Sequence, residues 1–288
     1  GENFAVLFDK NKGVMTSYTM NGTELLQRGP LPNFWRAPID NDVGNKLPER
    51  SGIWKKTGHT RRLADFKMTK AAGNKTLIGV DFELVNDQNE VIALFLSGYT
   101  VYGSGDIVVE NHFKMIKDEL PEIVRMGTNL EMPGEFDQMS WLGRGPHESY
   151  LDRKTSAFVG LYSGSVAEQY WAYIRPQENG NKTDVRWVTI TDDNGNGLFF
   201  EGIPLLSVSA HHNTLEDFEK GKHTTDIKPR DLTSVNIDYK QMGVGGDNSW
   251  GALTHKEYRL TEKEYSYSYR IKGIAGEENP TILSRVGF

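Results

Sequence analysis

The chain has 288 residues, no cysteine and a formal charge of -6, from 39 acidic and 33 basic side chains. Without cysteine it can form no disulfide, thiolate metal site, iron–sulfur cluster or cysteine nucleophile. A mildly acidic chain with no basic block lacks the charge that nucleic acid or an anionic membrane surface selects, and no apolar run reaches the roughly 18 residues of a spanning helix.

Gly1–Asn3 reads as a linker remnant, and no leader pattern of basic, apolar and small residues follows it. Ser51–Lys56, with Ile53 and Trp54, suits a short turn of helix. In Thr76–Val85, the residues Ile78, Val80, Phe82 and Leu84 alternate with Gly79, Asp81 and Glu83, which predicts a strand with one buried and one wet face. Val91–Tyr102 is almost wholly apolar or hydroxyl-bearing and reads as a strand covered on both faces. Gly103-Ser104-Gly105-Asp106 then turns the chain into a second strand, Ile107–Ile116. Val185–Thr191 is a further strand, closed by Asp192-Asp193-Asn194-Gly195-Asn196-Gly197, and Leu198-Phe199-Phe200 opens the next. Thr214-Leu215-Glu216-Asp217 resembles a capping box at the start of one short helix. Near the end, Tyr265, Tyr267, Tyr269 and Ile271 alternate with Ser266, Ser268, Arg270 and Lys272.

Strands do not alternate with helices, so a parallel α/β sheet is excluded. The expectation is an all-β chain with little helix: one antiparallel domain over residues 1–275, a large sandwich rather than a barrel, with Gly276–Phe288 as a tail.

Three blocks concentrate polar and aromatic side chains. Asn33-Phe34-Trp35-Arg36-Ala37-Pro38-Ile39-Asp40-Asn41-Asp42 and Trp141-Leu142-Gly143-Arg144-Gly145-Pro146-His147-Glu148-Ser149-Tyr150-Leu151-Asp152-Arg153 place Arg beside Asp and Trp. That pattern makes either a buried ion-pair network that pins loops or a carbohydrate or anion site. Gln241-Met242-Gly243-Val244-Gly245-Gly246-Asp247-Asn248-Ser249-Trp250-Gly251 permits a sharply bent loop. It offers Trp250 as a flat face for a sugar ring, with Asp247 and Asn248 as short polar groups, unless the Trp plugs the core. No Gly-Lys-Ser/Thr follows, so it is no phosphate loop. Glu178, in Gln177-Glu178-Asn179-Gly180, is a general-base candidate, a hydroxyl acceptor or part of a solvated turn. His211, His212 and His223 fit no compact metal-ligand spacing. Asp40 and Asp42 read as a cation pair or as ordinary turn residues.

Taken in order, Phe34–Asp42, Trp141–Tyr150, Pro176–Gly180 and Gly243–Trp250 resemble the C-terminal small-chain domain of bacterial β-galactosidases of glycoside hydrolase family 2. The resemblance runs from about Asn3 to Ile274. It implies the β-supersandwich shared with galactose mutarotases, in a parent enzyme that hydrolyses terminal β-D-galactosides such as lactose. In that family the two catalytic glutamates lie in a TIM barrel, which takes about 250 residues of alternating β/α pattern. Neither that pattern nor an Asn-Glu-Pro signature occurs here, since Glu178 precedes Asn179. No catalytic residue is therefore assigned, and the chain alone is expected to be inactive.

By the same resemblance, Trp250 corresponds to an aromatic platform for the aglycone side of the sugar site, and Gly103-Ser104-Gly105 to a loop bordering it. Gly251-Ala252 departs from the familiar pattern after the Trp. The family's magnesium and sodium lie mainly outside this domain, so no cofactor or metal ligand is carried over. The implied partners are the remaining domains of the parent, its barrel included, in a homo-oligomer, and a galactoside substrate. The compartment stays open between bacterial cytoplasm and periplasm. Two alternatives remain. One is a mutarotase-like epimerase, which needs a His acid and a carboxylate base in one pocket, as His147 with Glu148 or His211 with Glu178. The other is a carbohydrate-binding module presenting Tyr265, Tyr267 and Tyr269, although core packing also explains that stripe.

Overall fold

The computed structural model of the chain describes residues 1–248, 250–276 and 278–286. Ser249 of the glycine-rich block and Glu277, Gly287 and Phe288 of the expected tail lie outside the described residues. Strand accounts for 48% of the chain and helix for 12%, which agrees with the all-β, helix-poor expectation.

The chain opens with β1 (Phe4–Asp9), β2 (Val14–Met20) and β3 (Thr23–Glu24), which pair into a small antiparallel sheet. β4 (Arg28–Asn33) leads into three short helices, α1 (Asp40–Gly44), α2 (Leu47–Ser51) and α3 (Ile53–Thr57). A meander follows: β5 (Arg62–Ala71), β6 (Lys75–Val85), β7 (Val91–Tyr102) and β8 (Ile107–Met115). Then come β9 (Arg125–Met132), β10 (Gln138–Gly145), β11 (Phe158–Ser165), β12 (Lys182–Thr191) and β13 (Gly197–His211). α4 (Leu215–Lys220), β14 (Thr233–Gln241), β15 (Glu264–Ile274) and α5 (Pro280–Leu283) complete the order.

The large sheet runs β11-β10-β12-β13-β15-β8-β7-β6-β5 and is antiparallel throughout. It branches at the fifteen-residue β13: residues 197–203 pair with β15, and residues 207–211 pair with β14, which continues to β9 and β4. One long strand thus serves two sheet directions, and the sheet curls around its own apolar face.

β6 buries Ile78, Val80, Phe82 and Leu84, the face its alternation predicts. β7 differs from the two-sided expectation. Ile92, Phe95 and Tyr99 are buried, but Leu94, Leu96 and Thr100 on the other face are only half-buried, because no layer of the described structure lies fully across them. Tyr265, Tyr267 and Tyr269 turn inward. The Tyr267 and Tyr269 rings stack at 5.7 Å, and the Tyr267 hydroxyl donates to the Ile237 carbonyl at 3.1 Å, so the stripe is core and not a sugar-facing strip. α3 is held down by Trp54, whose ring meets Phe113 edge-on at 5.7 Å and whose Nε1 donates to the Pro121 carbonyl at 2.9 Å. Beyond β15, the α5 residue Leu283 packs against the Trp187, Phe199 and Ile274 cluster, and its carbonyl accepts from Arg270 at 3.0 Å.

Tyr18 ties the small sheet to the large one. Its hydroxyl donates to the Gly105 carbonyl at 2.5 Å and accepts from the Gly273 amide at 2.7 Å, and burial drives its pKa well above the phenol range. Tyr18→Phe leaves both backbone groups buried without a partner, a loss of about 1–3 kcal/mol each at most. Urea unfolding is expected to show at least a 1 kcal/mol decrease, roughly the lower end of that range. An unchanged midpoint would mean the hydroxyl is not the tie.

Candidate functional site

Trp250 is 90% exposed, at the tip of the segment between β14 and β15. It is therefore no core plug. The root of the same segment is fixed from two sides.

From one side comes Arg36, fully buried just ahead of α1. Its Nε and Nη2 both bond Asp42, each at 2.9 Å, in a fork-on-fork pair. The remaining guanidinium hydrogens reach the carbonyls of Met242 at 2.6 Å and Gly243 at 2.9 Å. Asn41 adds a bond to the Val244 carbonyl at 3.0 Å. Asp42 also accepts the Ile39 amide at 3.1 Å, which ties the pair to the start of α1. A lysine has the charge but not the planar fork that spans a carboxylate and two carbonyls at once.

From the other side comes Asp152. Its two oxygens accept the amides of Val244 at 3.0 Å and Gly245 at 2.7 Å. Gly243 permits this approach, since a Cβ there would lie 2.5 Å from Asp152 Oδ2. At the tip, Asn248 Oδ1 accepts the Trp250 amide at 2.9 Å, and Asp247 meets His255 Nε2 at 2.8 Å. Gly251, at φ +116°, reverses the chain beside the Gly44 carbonyl. The three polar and aromatic blocks, 33–42, 141–153 and 241–251, therefore converge on one loop.

The Pro176–Gly180 motif lies beneath it. Glu178 is buried, not a solvated turn residue: its Oε2 pairs with Arg125 at 2.9 Å and its Oε1 accepts from Gln241 at 3.0 Å. Asp238 lies on the far side of Arg125, 3.2 Å from its Nε, and burial pushes this carboxyl up to about 7. Arg125 works against that rise, and the nearby Glu178 charge adds to it.

The structure does not unite all the expected site residues. Gly103-Ser104-Gly105 lies at the Ile107–Ile271 end of the β8–β15 ladder, with Gly105 against Phe4 and Tyr18. The Trp250 segment enters that ladder at its Glu264 end, and Gly251 lies beside the Gly44 carbonyl. Asp40 and Asp42 do not form a cation pair, because Asp42 is committed to Arg36. No group of three or more His, Asp or Glu side chains is placed to hold a metal among the described residues.

The epimerase pairings lack a free acid and base. Glu178 is bound as above, and His211 Nε2 donates to the Asn179 carbonyl at 3.0 Å, with burial lowering its pKa. His147 is exposed against Ser156, while Glu148 accepts the Gly180 amide, Arg153 and the Tyr173 hydroxyl.

Asp152 lay within the second polar block but carried no signal of its role, because its partners are backbone amides about ninety residues away. His255 likewise gave no sign.

A sequence profile described as "Beta galactosidase small chain" matches residues 1–271. The chain belongs to the beta galactosidase small chain family. It is 41% identical over 275 residues to the beta-galactosidase of Priestia megaterium, covering 95% of this chain and 26% of that protein. The Halalkalibacterium halodurans beta-galactosidase is 34% identical over 279 residues, with 95% and 27% covered. The small chain thus spans about a quarter of the length of these curated relatives. A solved galactose mutarotase related enzyme from Lactobacillus acidophilus shares the fold, with a TM-score of 0.52, 10% identity and 97% of each chain covered.

Two outcomes test the loop geometry. Asp152→Ala should speed amide exchange at Val244 and Gly245 while the β14 amides keep their protection, and equal protection in both variants would remove Asp152 from the root. Asp247 raises the His255 pKa, by hydrogen bond first and charge second. The contact is therefore strongest below the ordinary imidazole value of about 6.5 and is lost as pH rises through the raised one. An NMR titration should place His255 above that value, and Asp247→Asn should lower it.

Proposed function

We propose that this small chain serves a β-galactosidase acting on terminal β-D-galactosides such as lactose. In this reading it lends Trp250 as one wall of a sugar site whose acid and nucleophile stand on another domain. The observation that carries the reading is an almost fully exposed indole on a loop with an immobilised root. Exposing a Trp leaves hydrophobic area unused, and a rigid ring that needs little further ordering is well suited to stack on the C–H face of a pyranose. Asp247 and Asn248 set the shape of the tip around it.

The chain's own carboxylates do not fit hydrolysis. A glycosidase sets two carboxyl groups about 5–9.5 Å apart across an open bond-breaking space. The buried acids Asp42, Asp106, Glu178 and Asp238 instead each face an arginine. The domain accordingly shapes substrate binding while bond breaking is done elsewhere.

Purified 288-residue chain is expected to release no product from a chromogenic β-galactoside. In the full-length enzyme, Trp250→Ala should raise the lactose KM by roughly tenfold and slow transfer to sugar acceptors, the size expected for losing an aromatic contact. Folding stability should stay within about 0.5 kcal/mol, as for other surface changes. An unchanged lactose KM would remove Trp250 from the site. Turnover by the chain alone, abolished by changing one of its own acids, would overturn the division of labour.

A further inference from the structure

A cleft of about 340 Å³ opens over the strands β4, β9, β14 and β13, and none of the described residues between 242 and 255 lines it. The opposite face of these strands is core, with Leu130, Val235, Ile237, Val208 and Ala210 buried. The cleft face is a polar grid set by register. Asn129 pairs across to Asn236, and Asn236 to Ser209, while Glu131 pairs to Ser234 and Ser234 to His211. Asn129 donates to Ser234 Oγ at 3.0 Å, and Asn236 donates to Ser209 Oγ at 3.0 Å. Each serine thereby accepts an amide hydrogen and keeps its own hydroxyl hydrogen to give.

The grid's charges are already spent. Arg28 pairs with Glu131, Arg125 with Glu178 and Asp238, Lys55 with Glu219, and Lys56 with Asp87. An anion would find no unpaired cation among these four, whereas a neutral ligand rich in hydroxyls finds the hydroxyl hydrogens of Ser209 and Ser234, held in place by Asn236 and Asn129 amides that are themselves fixed within the grid. Two further polar atoms on lining residues, Trp35 Nε1 and His211 Nδ1, are buried with no hydrogen-bond partner. Because His211 Nε2 donates to a carbonyl, Nδ1 carries the free lone pair, so one orphan is a donor and the other an acceptor. Trp35 and Phe218 add apolar surface at the edge of the grid.

We propose that this cleft is a second saccharide site, taking a neutral pyranose through the Asn129, Asn236, Ser209 and Ser234 grid, separate from the Trp250 loop. It binds without converting its ligand, since Glu178 and His211 are both engaged with protein groups.

The test is an NMR titration of the 288-residue chain with D-galactose and with lactose, following the side-chain amides of Asn129 and Asn236. Those amides should shift in a saturable way. Asn236→Leu should weaken binding by roughly tenfold, the loss expected when the amide that orients Ser209 goes. Ser209→Ala, a smaller change, should weaken it in the same direction if the leucine variant fails to fold. Tyr102→Ala, outside both sites, should leave the Asn129 and Asn236 shifts unchanged, and because those amides report only on the cleft, failure here is separable from failure of the loop's proposed role. No shift with either sugar, shifts confined to residues 242–255, or saturation by inorganic phosphate instead of sugar would each overturn the proposal.

Discussion

The arrangement depends on one buried ion pair, Arg36 with Asp42. Taking both charges out of water costs several kcal/mol per ion, and an isolated pair of this kind is often no better than well-packed apolar residues. Here the guanidinium also satisfies two carbonyls of the chain leaving β14, and Asp42 also accepts an amide at the start of α1. The two carbonyl bonds of Arg36 therefore join segments some two hundred residues apart. Removing either partner would strand a charge in the core, at about 3–5 kcal/mol. The pair is better understood as fixing where the Trp250 loop begins than as a source of net stability.

A glycine-rich loop carries a large conformational entropy cost when it is ordered. The fold meets that cost at residues 242–245, where Arg36, Asn41 and Asp152 take up successive carbonyls and amides, and leaves the Trp250 ring exposed. Rigidity at the root with exposure at the tip is what an aromatic platform needs. The same sheet separates its two faces: strands β9, β13 and β14 give alternate residues to the core and to a polar cleft.

Much of this was legible in the sequence where alternation or local turn chemistry decides the outcome. Ile78 to Leu84 and Tyr265 to Ile271 have period 2 and one apolar face, so their strands and inward tyrosines followed directly. The three polar and aromatic blocks contained the residues of the loop and its clamp. What the sequence concealed is pairing across long separations. Nothing local links Asp152 to Val244, or Glu178 to Arg125 and Gln241, and a Glu beside Asn and Gly looks like an ordinary wet turn. The cleft grid was hidden for a related reason. Ser207, Ser209 and His211, or Ser234, Asn236 and Asp238, have the alternation of any strand with a solvent-facing side, and only the curl of the sheet turns that side into a lined cavity. The Gly103-Ser104-Gly105 turn rested on the resemblance alone, and it lies at the Ile107–Ile271 end of the β8–β15 ladder.

The central claim is that the clamp acts on the sugar site only through Trp250. A double-mutant cycle in the full-length enzyme tests it most directly, with Asp152→Ala, Trp250→Ala and the combination, reading kcat/KM for lactose. If Asp152 works by holding the loop, its effect disappears once the indole is gone, and the double variant equals Trp250→Ala alone. Fully additive losses, within the roughly 0.3–0.5 kcal/mol scatter of independent sites, would contradict the account.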